Sequence, residues 1–397
     1  LLYICGNISI MKNFNIVQSL CRASIAVATP AIEKQIERLV SFYQKEGMVD
    51  EADKIKNILE NGKKSIEMSP SNFKKSFLPA GEVLTKNTQI PVDKETSTPL
   101  AEIFFTEDLP ERMPLFDDDI KRAVFSVVNE WKKFDKLSEI NAQPSKSCLI
   151  FGKPGTGKTH LAKWLARQTG LPVVLARLEG LVSSFLGTSS RNIGNLFAFA
   201  NKYQCILLLD EFDAIAKLRN DTQEVGEVKR VVNTLLQSLD TRKDIGFTIG
   251  VTNHESLLDP AIWRRFDIQV EIPLPSIIVL KKLIETFLKP LSYSENEISF
   301  LAWCMDGSSG ADIRNLTNWI KRVHVLEKKK IILDIMKEFS VLNSGRMSKV
   351  KKELLSNKNE LLSSLLEDRN FNFKQKDVAE IFNLAPSSIS KHLSKLN

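Results

Sequence analysis

The chain has no run of apolar residues approaching the roughly 18 needed to cross a bilayer, so no transmembrane helix is expected in its 397 residues. Cysteine is scarce and scattered. Cys5, Cys21, Cys148, Cys205 and Cys304 are odd in number, and Cys148 and Cys205 fall inside apolar runs. That usage suits a reducing cytosol and excludes a disulfide framework. With four histidines and no H-E-x-x-H, the sequence carries no zinc-protease signature, so any proteolysis must come from a separate protein. The first 32 residues lack acid altogether. Their apolar patch SIAVAT is short and follows Arg22 directly, which argues against a secretion signal.

Basic charge is distributed unevenly. Lys321 to Asn397 holds 16 Lys plus Arg against 9 Asp plus Glu, which accounts for the whole net charge of +7. Such asymmetry points to a nucleic-acid or acidic partner for the C-terminal fifth, or to a solvated helical surface with no partner.

Periodicity divides the chain into five parts: a helical hairpin (1–65), a linker (66–113), an α/β domain (114–275), an α-helical lid (276–340) and a basic tail (341–397). In the first, Ile32, Ile36, Leu39, Val40 and Tyr43 recur at helical spacing, Gly47 ends the helix, and Asp50 caps a second one carrying Ala52, Ile55, Ile58 and Leu59. Four prolines between Ser69 and Pro99 predict the linker, with short edge strands packed on the next domain as the alternative. Beyond Phe116, the runs SCLIF, PVVLARL, CILLLD, FTIGVTN and IQVEIPL alternate with helical stretches, the pattern of a parallel sheet flanked by helices. After Pro275 only helical patterns remain.

Directly after SCLIF comes GKPGTGKT: Gly152, Lys153, Pro154, Gly155, Thr156, Gly157, Lys158 and Thr159, with His160 opening the helix that follows. This is G-x-x-x-x-G-K-T in its strand, loop and helix context, a phosphate-binding P-loop. Glycines let successive backbone N–H groups point at phosphates, Lys158 reaches the β and γ oxygens, and the Thr159 hydroxyl ligates magnesium. CILLLD ends in Asp210, placed to hold that magnesium, and Glu211, placed to polarise an attacking water. FTIGVTN ends in Asn253, a neutral amide able to orient the same water.

GKPGTGKT, CILLLDEFDAI, VTN and LLDPAIWRRFD, in this order, resemble the AAA clade of the AAA+ ATPases over roughly residues 114–329. The chain looks similar to small stand-alone bacterial or phage-type members. The resemblance implies an AAA+ core with ATP and Mg²⁺ as cofactors, a homo-oligomeric ring that is usually a hexamer, and a protein substrate. It also implies that Arg264 and Arg265 reach the γ-phosphate of a neighbouring subunit's ATP. Gly310 and Ala311, in SGAD, would border the nucleotide where other superfamily members carry an arginine. Phe185, Leu186 and Gly187 match the aromatic, apolar and glycine positions of the loop that grips substrate in the ring's pore. Two departures stand out: His254 replaces a frequent arginine, and Thr188 a frequent glutamate.

The tail stretch QKDVAEIFNLAPSSISKHL fits a helix-turn-helix: Val378, Ala379 and Phe382 on one inner face, Asn383 at a left-handed turn position, Pro386 opening the next helix, Ile389 and Leu393 inward. Ser387, Ser388, Ser390, Lys391 and Lys395 then form a polar face for nucleic acid, or for a docked protein. A helix over Val350 to Leu366 would complete a three-helix unit. Three readings stay open: a cytoplasmic protein-remodelling ATPase, a DNA-associated AAA+ factor in transposition, replication or regulation, and a non-hydrolysing scaffold, against which Glu211 and Asn253 speak.

Overall fold

The structure, a computed structural model, describes residues 17, 30–68, 81–140, 142, 145–178, 186–214, 225–242, 246–327 and 331–393. The chain divides into two compact units, Leu1–Ser76 and Phe77–Asn397. Within the first, α1 (Pro30–Lys45) and α2 (Val49–Met68) form the hairpin. Ile36, Val40 and Tyr43 from one helix meet Ala52 and Ile55 from the other in a small core. Gly47 takes a left-handed φ of 75°. Around it the Met48 N–H donates to the Tyr43 carbonyl at 3.0 Å and the Gly47 N–H to Gln44 at 3.2 Å, a Schellman stop. Because α2 already begins at Val49, Asp50 lies in its first turn rather than at its cap. There its charge still complements the helix dipole.

The second unit is built on six strands: β1 (Glu102–Phe104), β2 (Ser147–Phe151), β3 (Val173–Arg177), β4 (Ile206–Asp210), β5 (Thr248–Thr252) and β6 (Ile268–Glu271). Their order across the sheet is β1-β3-β4-β5-β2-β6. All neighbours run parallel except β1, which pairs antiparallel with β3. The period of two in strand side chains sorts the runs onto two faces. Cys148 and Ile150 pack with Trp131, Leu161 and Leu165 on one, and Leu149 packs with Val174, Leu207, Ile193 and Leu235 on the other. β1 lies in the segment expected as a linker, so part of that segment extends the sheet edge, the alternative the sequence left open.

Helices flanking the sheet are α3 (Asp118–Lys132), α4 (Phe134–Glu139), α5 (Lys158–Thr169), α6 (Leu186–Ala200), α7 (Val225–Asp240) and the one-turn α8 (Pro260–Trp263). After β6 come α9 (Ile277–Leu288), α10 (Glu295–Cys304), α11 (Gly310–Leu326) and α12 (Ile332–Leu342), then α13 (Lys349–Ser356), α14 (Lys358–Glu367), α15 (Gln375–Ile381) and α16 (Pro386–Leu393). The helix expected over Val350 to Leu366 is broken at Asn357, whose side chain accepts from the Asn359 N–H at 3.2 Å and starts α14 afresh. Leu280, Phe300, Trp303 and Ile313 share one buried core with Leu361, Leu365, Val378 and Ile389. Lid and tail are therefore one packed body. No helix among the described residues is long and apolar enough to cross a membrane.

Candidate nucleotide site

β2 delivers the chain into Gly152–Thr159, and α5 carries it away. Gly152, Gly155 and Gly157 hold φ values of 135°, 78° and 96°, which L side chains rarely adopt. Close approach adds a second constraint. A Cβ on Gly152 would run into the Ile272 carbonyl, and one on Gly155 would lie 2.6 Å from Ser309 Oγ and 2.9 Å from Ala311 Cβ. The loop is thus clasped between the end of β6 and the start of α11. The Ala311 N–H donates to the Gly155 carbonyl at 3.0 Å, which places Gly310 and Ala311 against the loop.

Lys158 is buried, and its ammonium donates to the Gly152 carbonyl at 2.8 Å and the Lys153 carbonyl at 2.7 Å. Burial pulls its pKa down to about 8, against the opposing attraction of Asp210, Asp213 and Glu255. A buried cation held on the neutral carbonyls of a loop at a helix N-terminus is what a polyphosphate site requires. Beside it, Thr159 Oγ1 donates to Asp210 Oδ2 at 2.9 Å, so the two groups expected to share magnesium are already together.

Glu211 follows Asp210 with a φ of 57°, an uncommon conformation for a non-glycine residue and one that recurs where structure holds a functional side chain. Its N–H donates to Asp210 Oδ1 at 2.9 Å. Asp213, which sequence reasoning passed over, is buried and accepts from Thr252 Oγ1 at 3.2 Å and the Asn253 N–H at 3.3 Å. It ties the acidic end of β4 to the end of β5, setting Asn253 beside the carboxylates. The one signal was a third acid within DEFDAI, which spacing alone does not distinguish from a loop acid.

A cavity of about 900 Å³ joins these parts. Gly155 to His160, Asn253, Gly310 and Ala311 line it, together with an apolar wall from Met113 to Phe116, Val279 and Leu283. One polar loop and an apolar slot suit a nucleotide with its base buried.

Neither Arg264 nor Arg265 lines this cavity. Arg264 is exposed at the end of α8. Arg265 is tied within its own chain: Nε lies 2.9 Å from Asp240 Oδ1, and its guanidinium donates to Asp240 Oδ2 at 3.1 Å and to the Ala261 carbonyl at 2.8 Å. Asp267, also unanticipated, accepts from the Lys146 N–H at 2.7 Å, the Ser147 N–H at 3.1 Å and Ser147 Oγ at 3.0 Å. It fixes this turn to the start of β2.

Of the pore-loop candidates, Phe185 lies outside the described residues. Leu186 and Gly187 open α6, and the Leu186 side chain lies outside the described residues. Behind them Ser189 and Asn192 are buried, and Asn192 Nδ2 donates to the buried Asp93 at 2.6 Å. In the tail, α15 and α16 form with Asn383 at a φ of 51° and Pro386 opening α16. Val378, Ala379, Phe382 and Ile389 are buried. Ser387 is exposed and Ser388 half-buried. The side chains of Ser390 and Lys391, and all of Lys395, lie outside the described residues.

A parallel sheet whose first central strand feeds a glycine loop, a buried lysine and a threonine, with an acidic strand end alongside, defines the P-loop nucleotide-binding class. Within it, residues 148–274 match the family model described as ATPase family associated with various cellular activities (AAA). An uncharacterized AAA family ATPase, y4kL of Sinorhizobium fredii, is 34% identical over 211 residues, 53% of this chain and 63% of that protein. A proteasome-activating nucleotidase of Methanothermobacter thermautotrophicus is 32% identical over 213 residues, 51% of this chain and 52% of that protein. An ATP-dependent zinc metalloprotease FtsH of Parabacteroides distasonis is 32% identical over 223 residues, 54% of this chain and 33% of that protein. The matched region spans at most 63% of the length of these relatives.

Proposed function

We propose that this chain is an ATP-hydrolysing, ring-forming AAA ATPase of the cytoplasm that remodels, unfolds or threads protein. The observation that carries the reading is a cavity lined by Lys158, Thr159 and Asn253 with a P-loop at its floor, Asp210 hydrogen-bonded to Thr159 and Glu211 bonded to Asp210 beside it. Lys158 holds the β and γ oxygens once it leaves the loop carbonyls. Thr159 and Asp210 would hold magnesium, which would supply charge neutralisation to the phosphates when bound. Glu211 takes the proton of the attacking water, and Asn253 keeps that water in line without competing for the proton. Arg264 and Arg265 serve the neighbouring subunit's site, and Phe185, Leu186 and Gly187 grip the polypeptide. A separate protease is a natural partner for such a ring, as the name of the proteasome-activating nucleotidase suggests.

The test separates binding from turnover. Lys158→Ala should lose nucleotide binding, whereas Glu211→Gln should bind ATP and fail to hydrolyse it, measured by equilibrium binding and phosphate release. Near wild-type turnover in Glu211→Gln would remove Glu211 from the mechanism.

The basic surplus of residues 321–397, with Asn383 and Pro386 shaping a two-helix turn, supports a second reading as a DNA-associated AAA+ factor. Salt-dependent binding of duplex DNA by the wild-type chain, weakened in the Lys391→Ala, Lys395→Ala double variant, would favour that reading.

A further inference from the structure

The nucleotide cavity carries more positive charge than its P-loop explains. Besides Lys158, its lining includes Arg112, Lys289 and Arg314, against Asp117 as the acid. Asp117 is itself engaged, accepting from Ser276 Oγ at 2.5 Å. Arg314 is the informative member of this set. It stands on α11, one turn beyond the Gly310 and Ala311 that touch the loop, and it has no ion-pair partner among the described residues.

Two contacts fix where Arg314 sits. A Cβ on Gly310 would lie 3.5 Å from the Gly155 carbonyl and 3.9 Å from Leu283 Cδ1. Four residues further along both helices, the Arg314 guanidinium lies over the Phe287 ring, 4.9 Å from its centroid. α9 and α11 therefore pass the cavity in step, and the Arg314–Phe287 pair is one helical turn, about 6 Å, farther from the P-loop than the Gly310–Leu283 contact. Side chains on a helix lean toward its N-terminus, which on α11 is the direction of the P-loop. A long arginine at this position extends toward the phosphates, and an exposed cation over a ring holds it more weakly than charge-assisted bonds to phosphate oxygens would. Magnesium-bound ATP also carries more negative charge than one lysine neutralises.

We propose that Arg314 is a nucleotide contact supplied by the lid, leaving Phe287 to meet the phosphate chain of the nucleotide seated at Gly152–Thr159. Resting on the nucleotide-binding reading above, it assigns to Arg314 part of the phosphate charge that Lys158 alone leaves unmatched. Its contribution grows with the number of phosphates and does not depend on the base.

The experiment measures equilibrium binding of ATP, ADP and adenosine, each with magnesium, to the wild-type chain, Arg314→Ala and Arg314→Lys. Arg314→Ala should weaken ATP about tenfold, ADP by less and adenosine not at all, with the ATP loss shrinking as salt rises. Arg314→Lys should recover part of the ATP affinity. Equal losses for all three ligands would overturn the assignment in favour of a base or ribose contact, and no loss for any would leave Arg314 a solvated rim residue. The wild-type arm keeps the two readings apart. A wild-type chain that binds ATP without hydrolysing it leaves the Arg314 assignment standing, and one that binds no nucleotide overturns both.

Discussion

Lys158 is the residue whose charge depends most on what occupies the loop. With its pKa drawn down to about 8 by burial, it is largely protonated at neutral pH and largely neutral well above 8. Phosphates in contact favour the ammonium, so the bound-state pKa lies higher than the free one. The affinity this cation provides is then fully present below the free-state value and is lost as pH rises between the free and bound values. ATP affinity should fall about tenfold per pH unit above 8, with close to one proton taken up on binding. Calorimetry in buffers of different ionisation enthalpy reads that proton directly. A pH-independent affinity from 7 to 9.5 would show that Lys158 stays charged throughout. The residues proposed for this chemistry could be picked out in the sequence because the P-loop has fixed internal spacing, and because each other group follows an apolar strand that announces its end. Asp213, Asp240 and Asp267 were not legible, since their partners lie 25 to 121 residues away and nothing local marks the pairing.

The secondary elements show where periodicity carries information and where it stops. β2 to β5 were readable as runs because burial on both faces makes them largely apolar, whereas β6, with Gln269 and Glu271 exposed, was readable by its alternation. β1 is three residues long, with Glu102 exposed, and offers no such run. The tail shows a different limit: its helices and the left-handed Asn383 were readable, but not which surface their apolar faces cover. Leu361, Leu362, Leu365, Phe373, Val378, Ile381 and Ile389 close the same core as α9 to α12. Trp303 Nε1 donates to Asp368 at 2.9 Å, and the Lys351 ammonium lies 3.2 Å from the Trp303 ring centroid. Each buried large apolar side chain contributes about 1.5–3 kcal/mol, so those seven together contribute about 10–20 kcal/mol, as much as the whole net stability of a typical domain, about 5–15 kcal/mol. Ending the chain after Asn343 should therefore unfold or aggregate the lid rather than release a detachable module, and Leu362→Ala alone should cost about 2–5 kcal/mol. Denaturation of the truncated chain compared with the full one measures this; an equally stable, soluble truncation would mean the tail is an independent appendage.

At the scale of the whole molecule, the two arginines of AIWRRFD pose a question one chain does not answer. Neither lines its own chain's cavity, yet they differ in how they are held. Arg265 is clamped by Asp240 and the Ala261 carbonyl, whereas Arg264 is exposed beside it. A guanidinium standing at the surface, on a turn that Asp267 pins to the start of β2, is well placed to reach an anion on a neighbouring copy. A finger supplied in trans is worth about 10³ to 10⁵ in rate, so a chain that assembles should gain ATPase activity per subunit as concentration rises. Arg264→Ala is the cleaner probe, because Arg265→Ala also breaks the clamp to Asp240 within the same chain. Alone, Arg264→Ala should bind ATP and lose most turnover, and so should Glu211→Gln. Mixed, the two should recover part of the activity, since an interface pairing the intact arginine of one subunit with the intact carboxylate of the other is complete. Activity per chain that holds constant down to concentrations where sizing shows only monomers would place the arginines' action within their own subunit. Mixing would then recover nothing.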